Sequence, residues 1–391
     1  MPGAHALLSP SSAHRWLACP PSARLHAKLS ERIGDGSSIY AEEGTQAHAL
    51  AELKLRLANG EINQFRFDAE KKLLGDIPSY ADRNTDIYVD TVLEKLYAAQ
   101  KICPDAQLFI EHRLDMTPWV PSCFGTSDAI IVSDQTLEVL DYKNGAGVPV
   151  DAVGNPQARL YALGAVEMFG CIYGFKWIRE TIIQPRLDSI TEETMSREDL
   201  LAWGEEIRGP ALKAWRGEGE FHPGEHCRFC AAKAICAARA AQAMSAFVNG
   251  FDSPDVIPEE DIAGILKVAD TAEAWLHDIR SYAYAQAMKG EKFDGFKLVR
   301  GRAPARKWTN EDEVIDQMAR AGYSREQYTE EPRLMSVAAL EKSIGKTAFK
   351  ALLAPLTQQG DAQLILVPES DKREEFSSAD MAFADLADSL Q

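Results

Sequence analysis

The chain has 391 residues, 46% hydrophobic and 26% charged, the composition of a folded soluble protein rather than a disordered one. Its formal net charge of -17 argues against a protein that coats nucleic acid nonspecifically, so any nucleic-acid function must rest on a local site. The length favours two domains; with no apolar run of ~18 residues and no signal-peptide pattern, no membrane partner and a cytoplasmic location are expected.

In chain order, residues 1 to 30 read as short helical segments containing Cys19 in HRWLACPPSARL, where the Pro-Pro sequel ends the local helix and holds the sulfur at a turn. GDGSS at 34 to 38 reads as a loop. A helix is predicted from about Glu42, with Ala47, Leu50, Ala51, Leu55 and Ala58 at helical spacing, stopping at Asn59-Gly60. A second runs from about Asp82 to Gln100 with Ile87, Val89, Val92, Leu93 and Leu96 as its apolar side. The period then shortens: LFIEHRLDM, FGTSDAIIVSD and TLEVLDYKNG predict a three-stranded meander. PQARLYALGAVEMFG reads as a helix with Pro156 in its first turn, YGFKWIRETIIQPR as a strand, and 196 to 216 as a helix leading into a cysteine-rich segment.

Beyond a linker at Pro254 to Pro258, a long helix is predicted from Glu259 to Lys289, with Ile262, Leu266, Ala269, Leu276, Ile279 and Ala283 along one stripe. Small helices at 310 to 321 and 336 to 354, a strand LILVP at 364 to 368 and an acidic tail complete the chain. The expected domains are 1–245 and an α-rich 255–391.

Two constellations carry chemistry. Asp128 lies in one meander strand and Asp141 and Lys143 close the next; residues two apart share a strand face, so Asp141 and Lys143 point one way and Tyr142 the other. Carboxylates of this kind suit Mg2+ or Mn2+ clamping a phosphate, beside a lysine that orients water or steadies developing charge. A lone D-x-K also describes an exposed salt bridge at a strand end. It gains meaning from its neighbours: His48 on the apolar helix, Glu111 in FIEHRLD as a further carboxylate, and Gln157 with Tyr161, four apart on one helix face.

The second constellation is cysteine. Seven cysteines, without a secretory signal, are no disulfide framework. Cys103, Cys123 and Cys171 read as small buried hydrophobes. Cys227, Cys230 and Cys236 form C-x2-C-x5-C, and Cys19 is the candidate fourth ligand of one zinc ion or iron-sulfur cluster, a choice that spacing leaves open.

The ordered set of His48, Glu111, GTSD, D-x-K, Q-x3-Y and C-x2-C-x5-C, with one earlier cysteine, resembles the RecB-like branch of the PD-(D/E)XK nucleases. The match covers residues 10 to 240 and is similar to the iron-sulfur members, the AddB-type helicase-nucleases and the CRISPR adaptation exonucleases, and to a phage and prophage family of unknown function. The resemblance implies an α/β restriction-endonuclease-like core, a central mixed sheet flanked by helices, with a mainly helical C-terminal domain. It implies a 4Fe-4S cluster on Cys19, Cys227, Cys230 and Cys236 that staples the two ends of the nuclease domain. It further implies metal ligation by His48, Asp128, Asp141 and the Tyr142 carbonyl, with Lys143 as catalytic lysine and Gln157 and Tyr161 positioning DNA and lysine. The D-x-K acid is Asp where many relatives carry Glu, and the superfamily pattern permits both.

The expected function is thus a metal-dependent DNA exonuclease on single-stranded or end-opened DNA, bacterial or phage-encoded, with recombination or replication proteins as partners. The alternative is a catalytically silent DNA-end binding module of the same fold. Residues 289 to 308 carry seven Lys/Arg against two acids. There Lys292, Lys297, Arg300, Arg302, Arg306 and Lys307 could track a DNA strand while Phe293, Phe296 and Trp308 stack on bases; a solvated β-hairpin with core aromatics is the competing reading.

Overall fold

The computed structural model describes residues 6–33, 39–145, 147–248, 259–303, 305–330, 333–358, 364–368 and 373–374. The GDGSS loop, the Pro254 to Pro258 linker and the acidic tail beyond residue 374 lie outside them. The chain forms two compact units, residues 1–275 and 276–391, dividing inside the long helix, C-terminal to the linker expected at Pro254 to Pro258.

The first unit opens with α1 (Ala13–Ala18), α2 (Ser22–Ile33), α3 (Ile39–Ala58), α4 (Gln64–Leu73) and α5 (Ser79–Ile102). Helix α4 escapes an apolar-periodicity reading because it buries only Phe67 and is set instead by its Asn63 cap, whose side chain accepts from the Arg66 amide. In α5 the buried stripe runs Thr85, Tyr88, Val92 and Leu96, so Ile87, expected inside, is exposed.

Strands β1 (Gln107–Asp115), β2 (Phe124–Val132) and β3 (Thr136–Tyr142) form the expected antiparallel meander. Next come α6 (Pro156–Phe169), β4 (Trp177–Gln184), β5 (Ser189–Ser196) and α7 (Arg197–Arg216). The sheet is mixed, ordered β1-β2-β3-β4-β5, and its one parallel pair is β3 with β4. A parallel pair needs a crossover, and α6 supplies it, which is why this helix lies across the sheet. The unpredicted β5 is a polar edge strand, SITEETMS, whose residues are half-buried and exposed in alternation.

Helices cover both sheet faces. Ile130, Val132, Leu137, Val139 and Ile178 pack under α6, α7 and Trp16 of α1, while Ile110, Ala129, Ile131, Leu140 and Tyr142 pack on α3 and α5. Burial on both faces explains why AIIV in β2 is apolar without alternation. Gly164 of α6 lets the helix settle on β1, since a Cβ there would stand 2.7 Å from the Met116 sulfur and 2.9 Å from the Leu114 Cβ. After α7 the chain passes through the cysteine segment into α8 (Ala237–Val248) and α9 (Glu259–Met288). Cys123 is buried as expected, but Cys171 is exposed in the turn after α6 and Cys103 half-buried at the end of α5.

The second unit contains β6 (Phe296–Arg300), β7 (Lys307–Trp308), α10 (Glu311–Arg320), β8 (Thr329–Glu330), β9 (Arg333–Leu334), α11 (Val337–Ile344), α12 (Lys346–Leu352), β10 (Thr357–Gln358) and β11 (Leu364–Pro368). The segment 289 to 308 is not a hairpin: β6 pairs with β11 and β7 with β10. The helix expected over 336 to 354 is two, broken at Gly345, whose φ of +85° an L side chain rarely adopts. Val314, Met318, Leu340, Phe349 and Leu353 form this unit's core. Among the described residues no helix is long and apolar enough to cross a membrane.

Candidate metal site and cysteine cavity

The strand register brings the carboxylates together. Ile110 pairs with Ala129 and His112 with Ser127, so Glu111 and Asp128 face one another between these rungs. Ala129 pairs with Leu140, which puts Asp128 level with Asp141 one step on. Three acids therefore stand abreast on three neighbouring strands. The ladder between β2 and β3 ends here, and Asp128 takes over its role by accepting the Tyr142 amide at 2.7 Å through Oδ2.

His48 reaches this row from α3, its Nδ1 3.2 Å from Asp128 Oδ1 and its ring edge-on to Tyr142 at 5.2 Å. Ligand atoms of His48, Glu111 and Asp128 lie within 4.8 Å of one another, close enough to share a metal ion. Glu111 is the unusual member. Its backbone is left-handed, φ +47°, a conformation that costs a non-glycine residue on the order of 1 kcal/mol or more. Burial, Asp128 and Glu52 raise its carboxyl to about 7. A cation at this spot would relieve that repulsion.

Asp141 belongs to a second group. Lys143 Nζ stands 2.8 Å from Asp141 Oδ2, a close ion pair. Lys143 Nζ also donates to Gln157 Oε1 at 3.1 Å, and Gln157 Nε2 donates to Asp141 Oδ1 at 3.0 Å. Gln157 is aimed by its place in the first turn of α6, where the Asn155 side chain caps both the Gln157 and Ala158 amides. Tyr161, one turn later, stands close to Gln157 and lies against Gly125 of the GTSD segment. A Cβ at Gly125 would stand 2.9 Å from the tyrosine ring, so glycine is what admits it.

The electrostatics separate the roles. Burial disfavours the charged forms of all these groups, yet Asp141 outweighs it at Lys143 and raises the ammonium above its ordinary value, keeping it charged at neutral pH. The facing ion pair, though opposed by burial, lowers Asp128 and raises His48. Burial and Asp128 push Asp141 up, against the pull of Lys143. One feature that periodicity did not reveal is Tyr88 of α5: its ring lies 5.0 Å from Tyr142, and its buried hydroxyl has no hydrogen-bond partner.

The cysteines converge elsewhere in the same unit. Cys19, Cys227, Cys230 and Cys236 line one small cavity, together with His222, His226 and Lys233. Cys19 caps the end of α1, so the Pro-Pro turn does position the sulfur. Burial would raise its thiol, but the His226 side chain and backbone groups at His222 and Ser22 outweigh it and lower it. The Ala231 amide donates to His26 Nδ1 at 2.9 Å, tying α2 to the cysteine segment. Arg15, one helical turn before Cys19, was missed in the sequence; its signal was the i, i+4 spacing that puts both on one face. It is 7% exposed and lies within hydrogen-bonding range of the Cys230 sulfur.

A model of one protein family matches residues 5–374. The chain belongs to DUF2800, a family of proteins of unknown function. This DUF2800 chain is also similar to one solved chain, the crystal structure of SSO0001, with 16% identity over 55% of this chain and 94% of that one. The TM-score is 0.22, too low to bear on the fold.

The basic segment of the DUF2800 chain sits in the second unit. Lys292, Arg300, Arg302 and Lys307 are exposed and Lys297 half-buried. Arg306 is committed to Glu341 and lies 5.0 Å over the Phe349 ring. Trp308 does not offer a stacking surface: it packs on Phe349 in the core, and its indole N–H donates to the Met335 carbonyl at 3.1 Å. Phe296 is exposed and Phe293 half-buried.

Proposed function

We propose that this protein is a divalent-metal-dependent nuclease acting on DNA, with a restriction-endonuclease-like core. The observation that carries the reading is the pairing of His48, Glu111 and Asp128, close enough to share one ion, with a lysine anchored alongside by Asp141 and Gln157. Mg2+ or Mn2+, when bound, supplies Lewis-acid polarisation of a phosphate and lowers the pKa of water. His48, Glu111 and Asp128 would hold it, with Asp141 as the further carboxylate ligand that the resemblance drawn from the sequence implies. The Tyr142 carbonyl, a ligand in the resemblance drawn from the sequence, stays part of the proposal.

Lys143, held charged by Asp141, is no general base. Its part is to donate to a phosphate oxygen and offset the charge that builds up there. Gln157 fixes the ammonium by accepting from it and donating to Asp141, and Tyr161 backs Gln157 from the helix. The exposed cations Lys292, Arg300, Arg302 and Lys307, with half-buried Lys297, would contact phosphates without reading sequence.

Cys19, Cys227, Cys230 and Cys236 would hold an iron-sulfur cluster. A single zinc at about 2.3 Å from each sulfur sets thiolates about 3.8 Å apart. A 4Fe-4S cluster also takes four cysteine thiolates, and the resemblance drawn from the sequence favours it over zinc. The residues present fit such a group, since all four line the same cavity.

The test is degradation of end-labelled single-stranded and duplex DNA by anaerobically purified protein, with Mg2+ or Mn2+ against EDTA, beside Lys143→Ala. Cation-dependent degradation lost in the variant supports the reading, and the label pattern gives polarity. A wild-type protein that binds DNA ends and leaves them intact would instead establish the silent end-binding module.

A further inference from the structure

Arg15 is buried in the N-terminal unit and makes no ion pair with a carboxylate among the described residues. It lies close to Cys230 and to Cys19, the latter one helical turn on, and Nη1 has no hydrogen-bond partner among the described residues. A buried guanidinium with no carboxylate beside it among the described residues is an uncompensated charge, which is costly. The carboxylate row shows the contrast, since half-buried Lys143, and His48 when protonated, have anions at 3.2 Å or less. The cation makes physical sense once the cavity carries negative charge.

We propose that Arg15 is the charge-compensating residue of the iron-sulfur centre: it donates to the Cys230 sulfur, keeps Nη1 for the anionic cluster, and so stabilises both the thiolates and the reduced cluster. This rests on the cluster reading above and assigns to one residue a role that reading does not contain. Four thiolates leave the centre net negative, and its reduction potential follows net charge and hydrogen bonds to sulfur. A guanidinium provides both, from a helix that also carries the ligand Cys19, so retention of the cluster and the position of α1 are linked through it.

The experiment compares wild type, Arg15→Met and Arg15→Lys, each purified anaerobically. Iron and sulfide content, midpoint potential, iron release to a chelator and melting temperature with and without cluster are measured. In Arg15→Met the potential should fall and iron release should accelerate on the order of tenfold or more. The loaded protein should melt lower than wild type, whereas the stripped protein should melt higher, because an unpaired buried cation has been replaced by an apolar side chain of similar length. Arg15→Lys, which retains the charge, should restore most of the potential. Equal destabilisation of loaded and stripped Arg15→Met with an unchanged potential would make Arg15 a packing residue and overturn the proposal. A wild-type protein containing zinc, or no iron and sulfide, would overturn the cluster reading itself and this role with it.

Discussion

The carboxylate row and the cysteine cavity lie in the same unit and solve opposite problems. At the row, cations and anions meet within the chain: His48 with Asp128, Lys143 with Asp141, and Gln157 bridging the last two. At the cavity, Arg15 lies close to Cys230 and Cys19 and makes no ion pair with a carboxylate among the described residues. The first site is largely pre-organised by its own side chains, with excess negative charge at Glu111; the second is left with a buried positive charge. One site is poised for a cation and the other for an anionic centre.

The largest effect expected from this contrast is at Lys143. Lys143→Ala should cut nuclease activity roughly 100-fold or more while leaving DNA binding nearly intact, measured by initial rates and by filter binding. A comparable loss of binding would mean that the lysine holds DNA rather than offsets charge. Next comes the other site: Cys230→Ser should abolish the visible absorption of the centre and lower the unfolding midpoint by several degrees, because a ligand set contributes folding free energy when filled. Unchanged stability would show that the cavity is not a staple.

Gly125→Ala tests the row through its backing. The added Cβ would press on the Tyr161 ring, and the cost should be about 1–3 kcal/mol in urea unfolding, with activity reduced through displacement of Gln157. Glu111→Gln sharpens the electrostatic side. The carboxyl is raised from 4.5 to about 7 in the folded protein, so the folded state binds more protons between these values and stability falls as pH rises through them. The variant should therefore gain roughly 2 kcal/mol at pH 8 without divalent cation, a figure discounted for partial solvation, and nothing at pH 4. It should also lose the stabilisation by Mg2+ or Mn2+ that the proposed metal site predicts for wild type. The smallest effect belongs to the second unit: breaking the Arg306–Glu341 pair with Arg306→Gln should change stability by less than about 1 kcal/mol.

Much of the site was legible in the chain. The two-residue period of a strand put Asp141 and Lys143 on one side and Tyr142 on the other, and the four-residue period of a helix put Gln157 beside Tyr161; both hold in the structure. Pattern reading failed where identity and environment part company. Trp308, aromatic in a basic stretch, is a core residue because β7 pairs with β10 rather than with β6. Strand β5 and helix α4 carry too little apolar periodicity to be seen, being an edge and a capped polar helix.

Local chemistry determined the strands, the main helices and the residues that could bind metal, because side-chain period and ligand type are properties of short segments. Tertiary structure alone decided which of them share a site. The strand register set Glu111 beside Asp128 and level with Asp141, the parallel crossover carried Gln157 back to Lys143, and folding brought Cys19 to cysteines far along the chain. Arg15 needed both: its helical turn from Cys19 is written in the chain, but the burial that leaves it facing sulfur comes only from the fold.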